Sequence, residues 1–229
     1  MDIRVANRYV LEVGGFEIWI TESLINTWII IAAVILFAVS ARIYMKKFTE
    51  LPAGFQNVLE SMVEIFDNFV VSSAGEGFVS LGNWFFTIFI MMFLSNISGI
   101  FGMRAPTADW SVALGYALGT FFAIHIMGIR RRKGNYLKSF LKPVFLFLPL
   151  NIISELSRPI SLSLRLFGNV LVGFIVMTLV HALLPIAARL ILPAALQIYF
   201  DIISGALQTY IFCMLSLTII GNAATEDAE

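Results

Sequence analysis

Residues 154–169 read Ser-Glu-Leu-Ser-Arg-Pro-Ile-Ser-Leu-Ser-Leu-Arg-Leu-Phe-Gly-Asn. They lie inside a long apolar region, yet they carry Glu155, Arg158 and Arg165 where hydrocarbon is the default surrounding. A guanidinium keeps its proton at any accessible pH, so an arginine cannot lower its cost by becoming neutral. Near a bilayer centre it costs about 2.5–3.5 kcal/mol even on the lenient insertion scale. The ordinary alternative is a side chain that snorkels to an interface or pairs with a buried acid. Apolar sequence continues for at least three turns beyond Arg165, and no acid lies one turn from it on this segment. Arg165 is therefore a candidate functional residue.

Composition sets the class. The chain is 59% hydrophobic and 13% charged, with 21 phenylalanines and a mean hydropathy of +0.88. Soluble domains are about 25% charged, so this is an integral membrane protein. Its apolar runs are continuous, which means helices rather than the dyad alternation of a β-barrel. A net charge of zero gives no pull toward nucleic acid. The single Cys213 excludes a disulfide framework within the chain and reads as a small core residue. The first two dozen residues mix Arg4, Arg8, Glu12, Glu17 and Glu22 with scattered apolar ones, without the pattern of a signal peptide. No metal-ligand spacing, Gly-rich phosphate loop or Cys pair occurs, so neither metal nor cofactor is expected.

The expected fold is an all-α integral membrane protein forming one membrane domain, residues 1–229. An N-terminal transmembrane helix covers about 24–41 and is followed at once by Arg42, Lys46 and Lys47. By the positive-inside rule that end is cytoplasmic and the N-terminus is outside. From Pro52 to Val71, apolar residues such as Phe55, Leu59, Met62, Phe66 and Phe69 recur at helical spacing opposite an acidic face. That is an interfacial amphipathic helix, and its acidity favours packing on neighbours over anionic lipid. A transmembrane hairpin follows, with spans at about 84–103, containing Asn96, and 110–129, containing His125. The second span ends in Arg130-Arg-Arg-Lys133, with Lys138 and Lys142 beyond. Nine of the 15 basic residues thus fall on the side assigned to the cytoplasm.

Two apolar stretches remain, at about 145–184 and 189–220. As helices they would be about 60 Å and 48 Å long, against a hydrocarbon core of about 30 Å. Both must tilt steeply or break, and Pro149 and Pro159 offer break points in the first. Pro185 and Pro193 are expected in the turn between them. The acidic residues from Thr225 to Glu229 form a cytoplasmic tail. No internal repeat supports an inverted-repeat transporter.

Ser161, Arg165, Asn169 and Gly173 follow at four-residue spacing and share one helix face. A stripe of small residues can serve helix packing alone, but arginine in its middle is a poor packing residue. Asp201, Ser204, Gly205, Gln208 and Thr209 make a similar face on the last helix. An antiparallel turn near Ala187 sets Arg165 opposite Gln208, with Asp201 nearer the outer surface. A central fixed cation, flanking amides and an outer carboxylate suggest an ion path with a charge barrier. His125 and His181 are weaker signals, read as satisfied interfacial residues.

At these residues the sequence resembles subunit a of the F-type ATP synthase. The resemblance is carried by Pro149-Leu-Asn-Ile-Ile-Ser-Glu155, Ser157-Arg-Pro-Ile-Ser161, Leu164-Arg-Leu-Phe-Gly-Asn169 and Leu207-Gln-Thr-Tyr-Ile-Phe212. Weaker echoes are Ser95-Asn96 with Gly99, and Pro106-Thr-Ala-Asp109. It implies a non-catalytic stator subunit that passes protons, with sodium as the alternative, through two offset half-channels to c-ring carboxylates. Arg165 matches the family's essential arginine, Asn169 its polar neighbour and Gln208 the glutamine of the last helix. Ser161, Glu155 and Asp201 join the expected ion-translocating set, and Asn96, Asp109 and Ser204 the expected half-channel lining. Implied partners are the c-ring of hairpin subunits, b-type peripheral-stalk subunits, the rest of the synthase and the bilayer of a bacterial plasma membrane. Many members carry an acid nine residues after the arginine; here that position is Phe174.

Two rival readings exist. An intramembrane protease needs Gly-x-Ser-Gly or Gly-x-Gly-Asp, and neither Ile202-Ile-Ser-Gly205 nor Tyr199-Phe-Asp201 supplies it. A stand-alone channel or secondary transporter is the other.

Overall fold

The computed structural model describes residues 7–13, 16–45, 48, 54–141, 145–183 and 191–225. Five helices within them are long and apolar enough to cross a membrane. They are built on α1 (Glu22–Met45), α3 (Gly82–Ile97), α4 (Trp110–Arg132), α6 (Leu148–Leu183) and α8 (Gly205–Thr225). The amphipathic helix is α2 (Phe55–Ala74), and two short helices, α5 (Gly134–Ser139) and α7 (Ile191–Ile198), precede α6 and α8. The helical membrane class read from composition therefore stands.

To this helical body the chain adds an antiparallel pair of strands, β1 (Asn7–Val13) and β2 (Phe16–Thr21), with Val10 opposite Trp19. Thr21 ends β2 and caps α1: its Oγ1 accepts a hydrogen bond from the Leu24 amide at 3.3 Å. This satisfies one of the orphan donors of the first helical turn.

The long helix α6 does not break. It runs 36 residues, about 54 Å, straight through Pro159. Proline removes one ladder hydrogen bond, but Ser and Thr side chains can re-satisfy backbone groups nearby. Ser157 and Ser163 donate to the carbonyls of Ser154 and Ile160 at 2.7 and 2.9 Å, not to the Glu155 carbonyl that Pro159 leaves without its N–H. Pro149 stands in the first turn, where a missing N–H costs nothing. Pro193, expected in a turn, likewise falls in the first turn of α7. Between α7 and α8 the chain widens into a π-helical segment, Tyr199–Ser204. The expected turn near Ala187 with Pro185, the basic Lys46, Lys47 and Lys142, and the acidic tail after Thr225 lie outside the described residues.

The chain forms two compact units. One holds residues 1–41, 90–113 and 165–209; the other holds 42–89, 114–164 and 210–229. In the second, Phe66 of α2 meets Phe86 and Phe89 of α3 edge-on at 4.8 and 5.1 Å, and Phe69 meets Tyr210 of α8 at 5.4 Å. A Cβ on Gly221 would stand 3.0 Å from the Ala74 backbone, so glycine permits that close approach of α8 to the end of α2. Part of the basic run after α4 is used within this unit. Arg131 donates to the Gly77 carbonyl and stacks on Phe78, while Arg132 reaches the Ala223 carbonyl in the last turn of α8 at 3.4 Å. Cations suit helix C-termini, where carbonyls lack partners.

Candidate functional site

The first unit brings α6 and the π-helical segment together through small and polar side chains. Ser204 Oγ donates to Asn169 Oδ1 at 2.7 Å. One turn along α6, a Cβ on Gly173 would come within 3.3 Å of the Phe200 ring. Both contacts obey one antiparallel register. The stripe read from the sequence is thus a contact face at Asn169 and Gly173.

Asn96 is the centre of a buried polar node. Its Nδ2 faces the Gly205 carbonyl at 3.2 Å and Thr209 Oγ1 at 3.4 Å, and its Oδ1 accepts from Thr107 Oγ1 at 2.9 Å. Thr107 and Thr209 are fully buried. Three chain segments, α3, the loop before α4 and α8, are tied by one amide whose donor and acceptor are both used. Gly205 is obligatory here, since a Cβ would lie 2.8 Å from that of Asn96.

Beside this node lies an open cavity of about 1180 Å³, lined wholly by residues of the first unit. Asp201, Asp109, Asn169 and Asn96 line it, four residues that the sequence marks separately. Asp109 sits 3.7 Å from Arg104, the backbone carbonyl of which accepts from Asn26 Nδ2 of α1 at 2.9 Å. Phe174 lines the cavity too, with no titratable group to offer. Asp201 Oδ2 is buried there without a hydrogen-bond partner.

Other expected site residues lie elsewhere. Arg165 and Ser161 are exposed on α6. Arg165 has neither an ion pair nor a hydrogen bond among the described residues. Gln208 is buried, its Nε2 unpartnered, and no direct bond joins it to Arg165. Glu155 is held by Arg158 at 2.8 Å on the same helix, within the second unit. In that unit His125 stacks on Phe121 with centroids 4.1 Å apart, and its Nδ1 lies 3.5 Å from the Tyr136 hydroxyl. Burial, helped by the charge of Glu155, pushes the Tyr136 hydroxyl above its ordinary range and keeps it protonated.

Sequence reasoning missed Gln197, Glu22 and Arg104 in the cavity wall, and set His181, also there, aside. Gln197 had one available signal, its spacing of four residues before Asp201 on a helix.

Residues 24–221 match the family described as ATP synthase A chain. The chain belongs to that family. It is 36% identical over 217 residues to ATP synthase subunit a 2 of Bradyrhizobium sp., covering 92% of each chain. It is 32% identical over 218 residues to ATP synthase subunit a of Moorella thermoacetica, covering 93% of this chain and 94% of the relative. To the chloroplastic ATP synthase subunit a of Stigeoclonium helveticum it is 30% identical over 237 residues, covering 98% and 93%. As a member of the ATP synthase subunit a family, it is a multi-pass membrane subunit of the F-type stator, with the rest of the synthase as its partner.

Proposed function

We propose that this subunit passes protons to and from a carboxylate presented in turn by each subunit of a rotating c-ring. Arg165 is the charge barrier between two offset half-channels. One observation carries the reading: a permanent cation stands exposed on a membrane-length helix with no anion of its own among the described residues. Such a charge calls for a partner from outside the chain. A cation near a carboxylate lowers its pKa by about one to three units, so Arg165 favours ionisation of the ring carboxylate as it passes. The cavity with Asp201, Asp109 and Asn169 supports an outer half-channel, in which Asp109 and bound water offset the missing acid at Phe174. The membrane potential supplies about 2.3 kcal/mol per charge per 100 mV.

The basic ends of α1 and α4 put those ends in the cytoplasm and the N-terminus outside, in a bacterial plasma membrane. Peripheral-stalk subunits of the b type hold the chain still against the ring. The test is reconstitution: vesicles with the whole synthase take up protons on ATP addition at micromolar sodium, and vesicles with this chain alone conduct nothing. Strong activation of ATP hydrolysis by millimolar sodium at fixed pH would overturn the choice of ion. Flux through the chain alone would favour a stand-alone channel.

A further inference from the structure

Gln197 belongs to no motif that carried the functional reading, yet it makes a long-range polar contact in the cavity wall. Its Nε2 donates to the Gly99 carbonyl at 2.7 Å, across 98 residues of chain. The same side chain lies beside the Asp201 carboxylate, one turn further on. A primary amide has two N–H donors, so one group can serve both acceptors.

Gly99 is fitted to this arrangement from the other side. A Cβ on Gly99 would overlap the Asp201 carboxylate, which rests in the space that glycine leaves. The Gly99 carbonyl is aimed by the turn that closes α3. Gly102, in the left-handed region at φ 72°, donates to it at 3.0 Å, and Met103 bonds back to Ser98 at 3.2 Å. Only glycine takes that φ without steric cost. The carboxylate also leaves a π-helical segment, and single π-turns inside α-helices re-aim side chains at functional sites. Asp201 is thus fixed by an amide on one side and a missing side chain on the other, while its Oδ2 stays buried with no partner.

We propose that Gln197 is a positioning residue for ion transfer: seated on the Gly99 carbonyl, it holds the Asp201 carboxylate in one orientation in the cavity wall, with Oδ2 lodged beside Gly99. The inference rests on the proposed role of Asp201 in the half-channel. Gln197 itself exchanges no proton. A side chain held by a single hydrogen bond loses about five-fold when that bond is removed.

The test is a double-mutant cycle in the complete synthase, reading ATP-driven proton uptake per assembled complex. Gln197→Met keeps the volume and removes the donor; it should lower uptake about five-fold. In an Asp201→Asn background the same change should cost little more, because residues acting through one another are not additive. Gln197→Leu, which also lacks the donor and adds no charge, provides a second cycle. Multiplying losses with Asp201→Asn would overturn the positioning role while leaving the half-channel reading intact. Unchanged uptake in Asp201→Asn alone would overturn both. Failure of both Gln197 variants to assemble, even beside Asp201→Asn, would make Gln197 a structural clamp and contradict the proposal.

Discussion

Ser204 donates a hydrogen bond to Asn169 across the antiparallel contact of α6 with the π-helical segment, and Gly173 meets Phe200 in the same register. Extending that register one turn the other way sets Arg165 level with Gln208, each four residues from the bonded pair. Their side chains are not directly bonded. Cysteines at 165 and 208 are expected to be joined by a short bifunctional thiol reagent. Efficient linking of a 169–204 cysteine pair, with none at 165–208, would contradict the extended register.

Asn96 lines the cavity, but its amide is already committed on both sides, to Gly205, Thr209 and Thr107. Its first role is to hold three segments together. Asn96→Ala leaves the buried Thr107 hydroxyl without its acceptor, at about 1–3 kcal/mol, while the Gly205 carbonyl keeps the Thr209 hydroxyl. The expected result is a lower melting temperature of the solubilised complex, with loss of transport following loss of folding. A variant as stable as the parent but inactive would make Asn96 a direct part of the ion path instead.

Much of this was legible in the residues, and for physical reasons. Hydrocarbon has a fixed thickness, so long apolar runs declare spans, and a charge that cannot be neutralised declares itself at Arg165. Other features had weaker signatures. The strands β1 and β2 flank Gly14-Gly15, a hairpin spacing between β-prone residues, but Arg8, Glu12 and Glu17 interrupt the apolar pattern there. Pro159 and Pro193 were given their soluble-helix meaning. Membrane helices tolerate an internal proline, as at the first, and a first turn needs no N–H at the second. Gln197 is an uncharged amide among apolar neighbours, so its partner Gly99 could be found only in three dimensions.

Asp201 is predicted to line the outer half-channel. It borders the cavity with Asp109 and Asn169, and an intramembrane acid must face protein or water. Asp201→Asn should slow ATP-driven uptake without abolishing it. Cysteine at this position should react with a small polar thiol reagent added from outside the cell. Access from the cytoplasmic side alone would reverse the assignment.

Arg165 is the exposed cation with no anion among the described residues. Arg165→Ala should leave the synthase assembled and hydrolysing ATP while abolishing ATP-driven proton uptake into vesicles. Arg165→Lys should restore little, since an ammonium lacks the planar fork and loses its proton more readily when desolvated. The decisive measurement is proton uptake by vesicles carrying equal amounts of assembled parent and Arg165→Ala complexes. The account predicts no coupled uptake in the variant; uptake near the parent rate would contradict it.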